Sequence, residues 1–145
     1  MYDNLQKIKE LKFLKKEQEQ IKNRMREIAK PILTDFKWLP ILHKTYIEVT
    51  GGDDRDPESR SAFLLIMAIL YSPNALAGMR SKKHYRERMA KLFSFISPCT
   101  ISLNTSTAVF HYIHYQWYRE RVDEIFDDML KIFEEKHPKL YETIK

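Results

Sequence analysis

His111 and His114 stand three residues apart, a spacing that lets two imidazoles share one face of a helix and hold a metal ion. A metal site wants an Asp, Glu or Cys to complete the set, and none lies within one turn of the pair. His84 and His137 lie elsewhere in the chain. Cys99 is the single cysteine, so no intramolecular disulfide can form. At a helix N-terminus its thiol would be acidified, but nucleophilic catalysis also needs a positioned base. Gly51-Gly52-Asp53-Asp54-Arg55-Asp56 has the residue types of a calcium loop without the EF-hand spacing or its closing Glu; it reads as a turn. Asp127-Asp128 reads as a pair of solvated helix positions. No Gly-rich phosphate loop and no nucleophile elbow occur in the chain. The expectation is a protein that is not an enzyme and that has no metal and no cofactor.

The charge distribution points elsewhere. The 145 residues carry a formal net charge of +5. Arg80, Lys82, Lys83, Arg86, Arg88 and Lys91, against Glu87 alone, give residues 80–91 an excess equal to that of the whole chain. The segment that follows, Leu92 to Tyr118, has no Asp, Glu, Lys or Arg. A basic stripe beside an uncharged polar segment is the electrostatic footprint of a nucleic-acid surface. A solvated helix face produces the same stripe, and an uncharged helix also suits a protein contact or the interior.

The elements that must position these residues are helical. Only 3 glycines occur, which argues against β-sandwiches and flexible linkers. The N-terminus is too charged for a signal peptide, and Phe63–Tyr71 is too short an apolar run to span a bilayer. A cytoplasmic protein is expected, in a bacterial host cytoplasm if phage-encoded. Residues 4–30 form an amphipathic helix closed by Pro31, with Lys15–Gln20 interrupting its apolar stripe. That interruption favours a helix on the domain surface over a coiled-coil arm. Residues 32–49, with Pro40 inside them, predict one or two short helices. Asp56 reads as an N-cap with Pro57 at the first helical position, opening a buried central helix to Tyr71. Residues 82–93 read as a helix, Ser97-Pro98 as the start of the next, and Val122 to Phe133 as an amphipathic helix ending at Lys136-His137-Pro138. Whether a helix break falls near Gln116 is open, and Lys139–Lys145 reads as a short tail. Phe110, Tyr112, Tyr115, Trp117 and Tyr118 suit a core or a homodimer interface better than base stacking.

Two helices separated by a few residues, the second rich in small hydrogen-bonding side chains, meet the needs of a helix-turn-helix. MAKLFSFISPCTIS resembles the IA-x-x-L-G-x-S-P-x-T-[IV]-S core common in bacterial helix-turn-helix proteins, including the LuxR and sigma-factor-like groups. STAVFHYI is loosely similar to the end of the DNA-binding domain of the replication initiator DnaA. The arrangement also resembles that of small helical proteins of phages and mobile elements. Residues 82–118 carry the likeness, with Ser94 where the core has glycine and a turn one residue longer, through Phe95 and Ile96.

The expectation is therefore all-α, with an N-terminal helical arm (1–31) and a helical domain (32–145) that holds a helix-turn-helix at about 82–115 and a long C-terminal helix. Double-stranded DNA is the expected partner, in transcription regulation or replication. Arg80, Lys82, Lys83, Arg86, Arg88 and Ser97 would meet phosphates, and Cys99, Thr100, Asn104, Thr107 and His111 would face bases. Asn104 is the residue expected to read adenine. A homodimer through the aromatic helix or the arm would supply a second half-site. The competing expectation is a protein-interaction or phage assembly role for the uncharged aromatic helix, with no membrane partner in either case.

Overall fold

The computed structural model describes residues 3–52, 57–93 and 96–145, the side chains of 57 and 58 excepted. Every regular element among them is helical, as the scarcity of glycine and the apolar periodicities require. The chain divides into two compact units, Met1–Lys30 and Pro31–Lys145.

The first unit is one helix, α1 (Asn4–Ile28), capped by the Asp3 carboxylate, which accepts from the Leu5 N–H at 3.3 Å. Lys, Glu, Gln and Leu dominate it, all residues that lose little rotamer freedom in a helix. None of its residues is buried.

The second unit begins with residues 31–35 and a single 3-10 turn, Phe36–Trp38, which runs into α2 (Leu39–Thr50). Pro40 sits in the first turn of α2, where no backbone N–H is needed. Gly51 ends that helix at φ +64°, a left-handed conformation that glycine adopts without a Cβ penalty. The expected turn at 53–56 and the Asp56 cap lie outside the described residues. Helix α3 (Pro57–Tyr71) then begins at proline as expected.

Nearly every α3 side chain from Ala62 to Tyr71 is buried, which makes this helix the centre of the core. The N–H groups of Ile32 and Leu33 both donate to the Leu70 carbonyl, at 2.9 and 2.8 Å, and the Tyr71 hydroxyl donates to the Asp35 carbonyl at 2.8 Å. These bonds tie the entry segment to the end of α3. A 3-10 segment, Pro73–Ala77, closes at Gly78 (φ +73°) and leads to α4 (Tyr85–Leu92).

Helix α4 is shorter than the expected 82–93. His84 holds φ +69° and thereby sets the start at Tyr85, while the Lys82 N–H donates to Ser72 Oγ at 2.9 Å. Lys82 and Lys83 therefore precede the helix. Helix α5 (Pro98–His114) and helix α6 (Gln116–Lys136) are separated by Tyr115 in an extended conformation, which settles the open question at Gln116. Arg119 braces that corner: its guanidinium donates to the carbonyls of Tyr112 (3.1 Å) and Ile113 (3.3 Å), two of the acceptors a helix end leaves free. The Tyr112 hydroxyl donates to Asp123 at 2.7 Å across the same corner.

Tyr118, Val122, Ile125, Met129 and Phe133 form the inner stripe of α6, and α6 packs on α2, α3 and α5. The expected tail is instead a helix, α7 (Pro138–Ile144), because fully buried Leu140 anchors it and Pro138 suits its first position. No helix among the described residues is long and apolar enough to cross a membrane.

Candidate nucleic-acid interface

Helix α5 is held on several sides. It packs on α3, α4, α6 and the Pro73–Ala77 segment, burying Ile101, Thr105 and Ala108. Thr105 spends its hydroxyl proton inside the helix, donating to the Ile101 carbonyl at 2.8 Å. Ala108 is fully buried, and a small side chain there lets neighbouring backbones approach closely. The partner helix α4 turns Tyr85 and Met89 inward, with Phe93 buried just beyond its end. Helix α5 thus packs on both α3 and α4.

The start of α5 is built as expected. Ser97 is its N-cap, its Oγ accepting from the Thr100 N–H at 3.3 Å and lying 3.1 Å from Thr100 Oγ1. Pro98 occupies the first helical position. Ser94, where the motif has glycine, and Phe95, one of the two residues of the longer turn, lie outside the described residues. The Ile96 N–H donates to the Phe93 carbonyl at 3.0 Å.

The expected phosphate contacts divide into two groups. Arg80, Lys83 and Arg88 are exposed, as is Lys91, while Lys82 and Arg86 are half-buried. The Lys82 ammonium and the Arg88 guanidinium both stand over the Phe36 ring, 5.4 and 5.5 Å from its centroid, positions that a ring quadrupole favours. Phe36 in turn stacks on Tyr71 at 5.2 Å. Arg86 donates to Ser102 Oγ at 3.4 Å, which sets a guanidinium against the first turns of α5.

The expected base contacts divide as well. Cys99 and Thr107 are exposed and Thr100 is half-buried, and the Thr107 hydroxyl donates to the Leu103 carbonyl at 3.1 Å. Asn104 Nδ2 is buried without a hydrogen-bond partner. Pairing with adenine uses the amide oxygen and nitrogen together, so Asn104 would have to rotate about χ1 to make it. His111 is half-buried, its ring 5.5 Å from those of both Tyr115 and Tyr118. It belongs to an aromatic cluster and does not stand free towards a groove.

This face also carries exposed apolar side chains. Leu103, Phe110, Ile113 and Trp117 are each more than half exposed, with Tyr115 beside them, and Phe110 packs on His114 at 4.3 Å. The aromatic set thus splits: Tyr118 enters the core, while Phe110, Tyr115 and Trp117 face outward. The run of aromatic letters signals apolar surface, but only the bend at Tyr115 decides which rings are covered.

The remaining chemistry is sparse. Among the described residues no three His, Cys, Asp or Glu side chains gather into a group that could hold a metal ion. An open groove of about 590 Å³ lies between the 32–38 segment and α7, lined by Ile32, Trp38, Lys139 and Glu142 among others, with no His or Cys in its walls. Comparison of the chain with protein-family models, with curated proteins and with solved structures finds no significant match.

Proposed function

We propose that the protein binds double-stranded DNA through a helix-turn-helix of α4 and α5, in a regulatory or replication-associated role. The observation that carries this reading is the N-terminal half of α5. Its inner residues are packed on α3 and α4, its outer residues Cys99, Ser106 and Thr107 are small and exposed with the larger Leu103 among them, and Arg86 is bonded to Ser102 beside them. A helix that enters a major groove meets base edges with its leading residues, which must be small or polar and carry no carboxylate. Helix α5 has no carboxylate at all. Arg80, Lys83 and Arg88 would bind phosphates, with Lys82 and Arg86 supporting them, and Ser97 would hold the helix start. Thr100 and Thr107 are the base-reading candidates, Asn104 only after rotation.

The test is anisotropy of a labelled random duplex between about 50 and 200 mM salt, comparing the native chain with an Arg80→Ala/Lys83→Ala/Arg88→Ala variant. Three lost phosphate contacts should flatten the log–log salt slope by about 2.7. Absence of binding at the lowest salt refutes the proposal.

A second reading has its own observation: the exposed apolar set Leu103, Phe110, Ile113, Tyr115 and Trp117. Within it the rings of Phe110, Tyr115 and Trp117 follow one another at 6.4 and 6.3 Å, and aromatic residues are enriched in protein interfaces. This reading predicts that Phe110→Asp abolishes a protein contact and leaves the salt slope on duplex unchanged.

A further inference from the structure

Helix α1 carries Leu11, Leu14, Ile21, Met25 and Ile28 at exposures between 39 and 72%, and no residue of the helix is buried. A helix of this length gains little from propensity alone; its stability in water comes from covering an apolar face. Leu5, Ile8 and Phe13 are exposed as well and lie off this face, which is continuous only from Leu11 onward. From Leu11 the positions 11, 14, 18, 21, 25 and 28 recur at alternating steps of three and four, the 3.5-residue period of a two-stranded coiled coil. Leu11, Gln18 and Met25 take the a positions, and Leu14, Ile21 and Ile28 the d positions. The polar run Lys15–Gln20 covers e, f, g, a, b and c, so it interrupts the seam at one layer only, Gln18.

The flanking charges choose the occupant. Glu10 and Glu17 fall at g, and Lys15 and Lys22 fall at e, each Lys five residues after a Glu. In a parallel, in-register pair, g of one helix faces the following e of the other. Glu10 then meets Lys15 of the second copy and Glu17 meets its Lys22, and both pairs occur twice by symmetry. An antiparallel pair would face e against e, bringing Lys15 towards Lys22 of the other helix.

We propose that α1 pairs with α1 of a second copy of this chain as a parallel coiled coil whose seam runs from Leu11 to Ile28, about 27 Å at 1.5 Å per residue. A single polar a-layer residue such as Gln18 fixes register in assemblies of this kind. The inference does not depend on DNA binding.

Sedimentation equilibrium of the full chain, over micromolar to submillimolar concentrations, should give twice the 17.5 kDa of one chain. Glu10→Lys/Glu17→Lys and Lys15→Glu/Lys22→Glu variants should each sediment as monomers, and an equimolar mixture of the two should regain the doubled mass. Recovery on mixing separates charge pairing from misfolding. In a Cys99→Ser background, Met25→Cys should oxidise to a disulfide-linked dimer because parallel a residues face each other within disulfide reach; Lys16→Cys, at the outermost position, should not. A native chain that stays monomeric, a larger multiple, or failure of Met25→Cys to link overturns the proposal.

Discussion

Tyr85 and Tyr71 are both fully buried tyrosines of one core, yet removing their hydroxyls should move stability in opposite directions. The Tyr85 hydroxyl is buried and finds no hydrogen-bond partner in the protein. A buried hydroxyl without a partner costs roughly 1–3 kcal/mol. Taking the oxygen away also forfeits a handful of dispersion contacts at about 0.1–0.2 kcal/mol each. Tyr85→Phe should therefore stabilise the Pro31–Lys145 unit by about 1 kcal/mol, raising Tm by roughly 4 °C for a domain of this size. The Tyr71 hydroxyl, by contrast, donates to the Asp35 carbonyl at 2.8 Å. Tyr71→Phe removes that bond and should destabilise by about 1 kcal/mol. Near-UV circular dichroism during urea and thermal unfolding is the assay, because it follows packed aromatic residues and not the α1 helix. A loss of 1 kcal/mol or more in Tyr85→Phe would mean that the hydroxyl is hydrogen-bonded in solution, and the argument would fail.

Three further outcomes are expected. Burial raises the pKa of Tyr71, Tyr85 and Tyr112, with the Asp35 charge adding at Tyr71, the Tyr71 hydroxyl at Tyr85 and the Asp123 hydrogen bond at Tyr112. The folded chain thus holds these protons above the unfolded tyrosine pKa of about 10; their contribution is fully present below that pH and is lost as pH rises beyond it. Urea midpoints should be insensitive to tyrosine ionisation up to about pH 9 and fall above about pH 10, and a flat response there would count against the burial. His84 holds φ +69°, so His84→Val should cost about 1–2 kcal/mol while His84→Gly stays within about 0.5 kcal/mol of native; equal effects in urea unfolding would remove the strain argument. Ser97→Ala takes away the α5 cap and should cost about 1 kcal/mol in the same measurement, and a change under a few tenths would show that the cap is dispensable.

The helical class, the buried run Ala62–Tyr71, the Ser97-Pro98 helix start and the start of α1 follow from local chemistry, which one sequence displays in full. Apolar periodicity, capping hydroxyls and proline positions act within a few residues, so their consequences need no distant partner. The end of α5 is different. Nothing near Gln116 marks a break, which arises because Arg119 reaches back to the Tyr112 and Ile113 carbonyls and Tyr112 grips Asp123. Lys139–Lys145 becomes helical only because Leu140 finds a place in the core, and α4 begins late because His84 turns to φ +69° while Ser72 holds the Lys82 N–H.

The candidate interface divides along the same line. Sequence determined the residue types on α5 and the excess charge beside it, since both are properties of composition and order. Tertiary structure decided which of them face outward. It turned the Asn104 amide nitrogen inward, seated His111 among tyrosines, engaged Lys82 and Arg86, and left Phe110, Ile113 and Trp117 exposed. Each of these depends on contacts between helices far apart in the chain, and burial is a property of the packed ensemble of helices, not of any one of them.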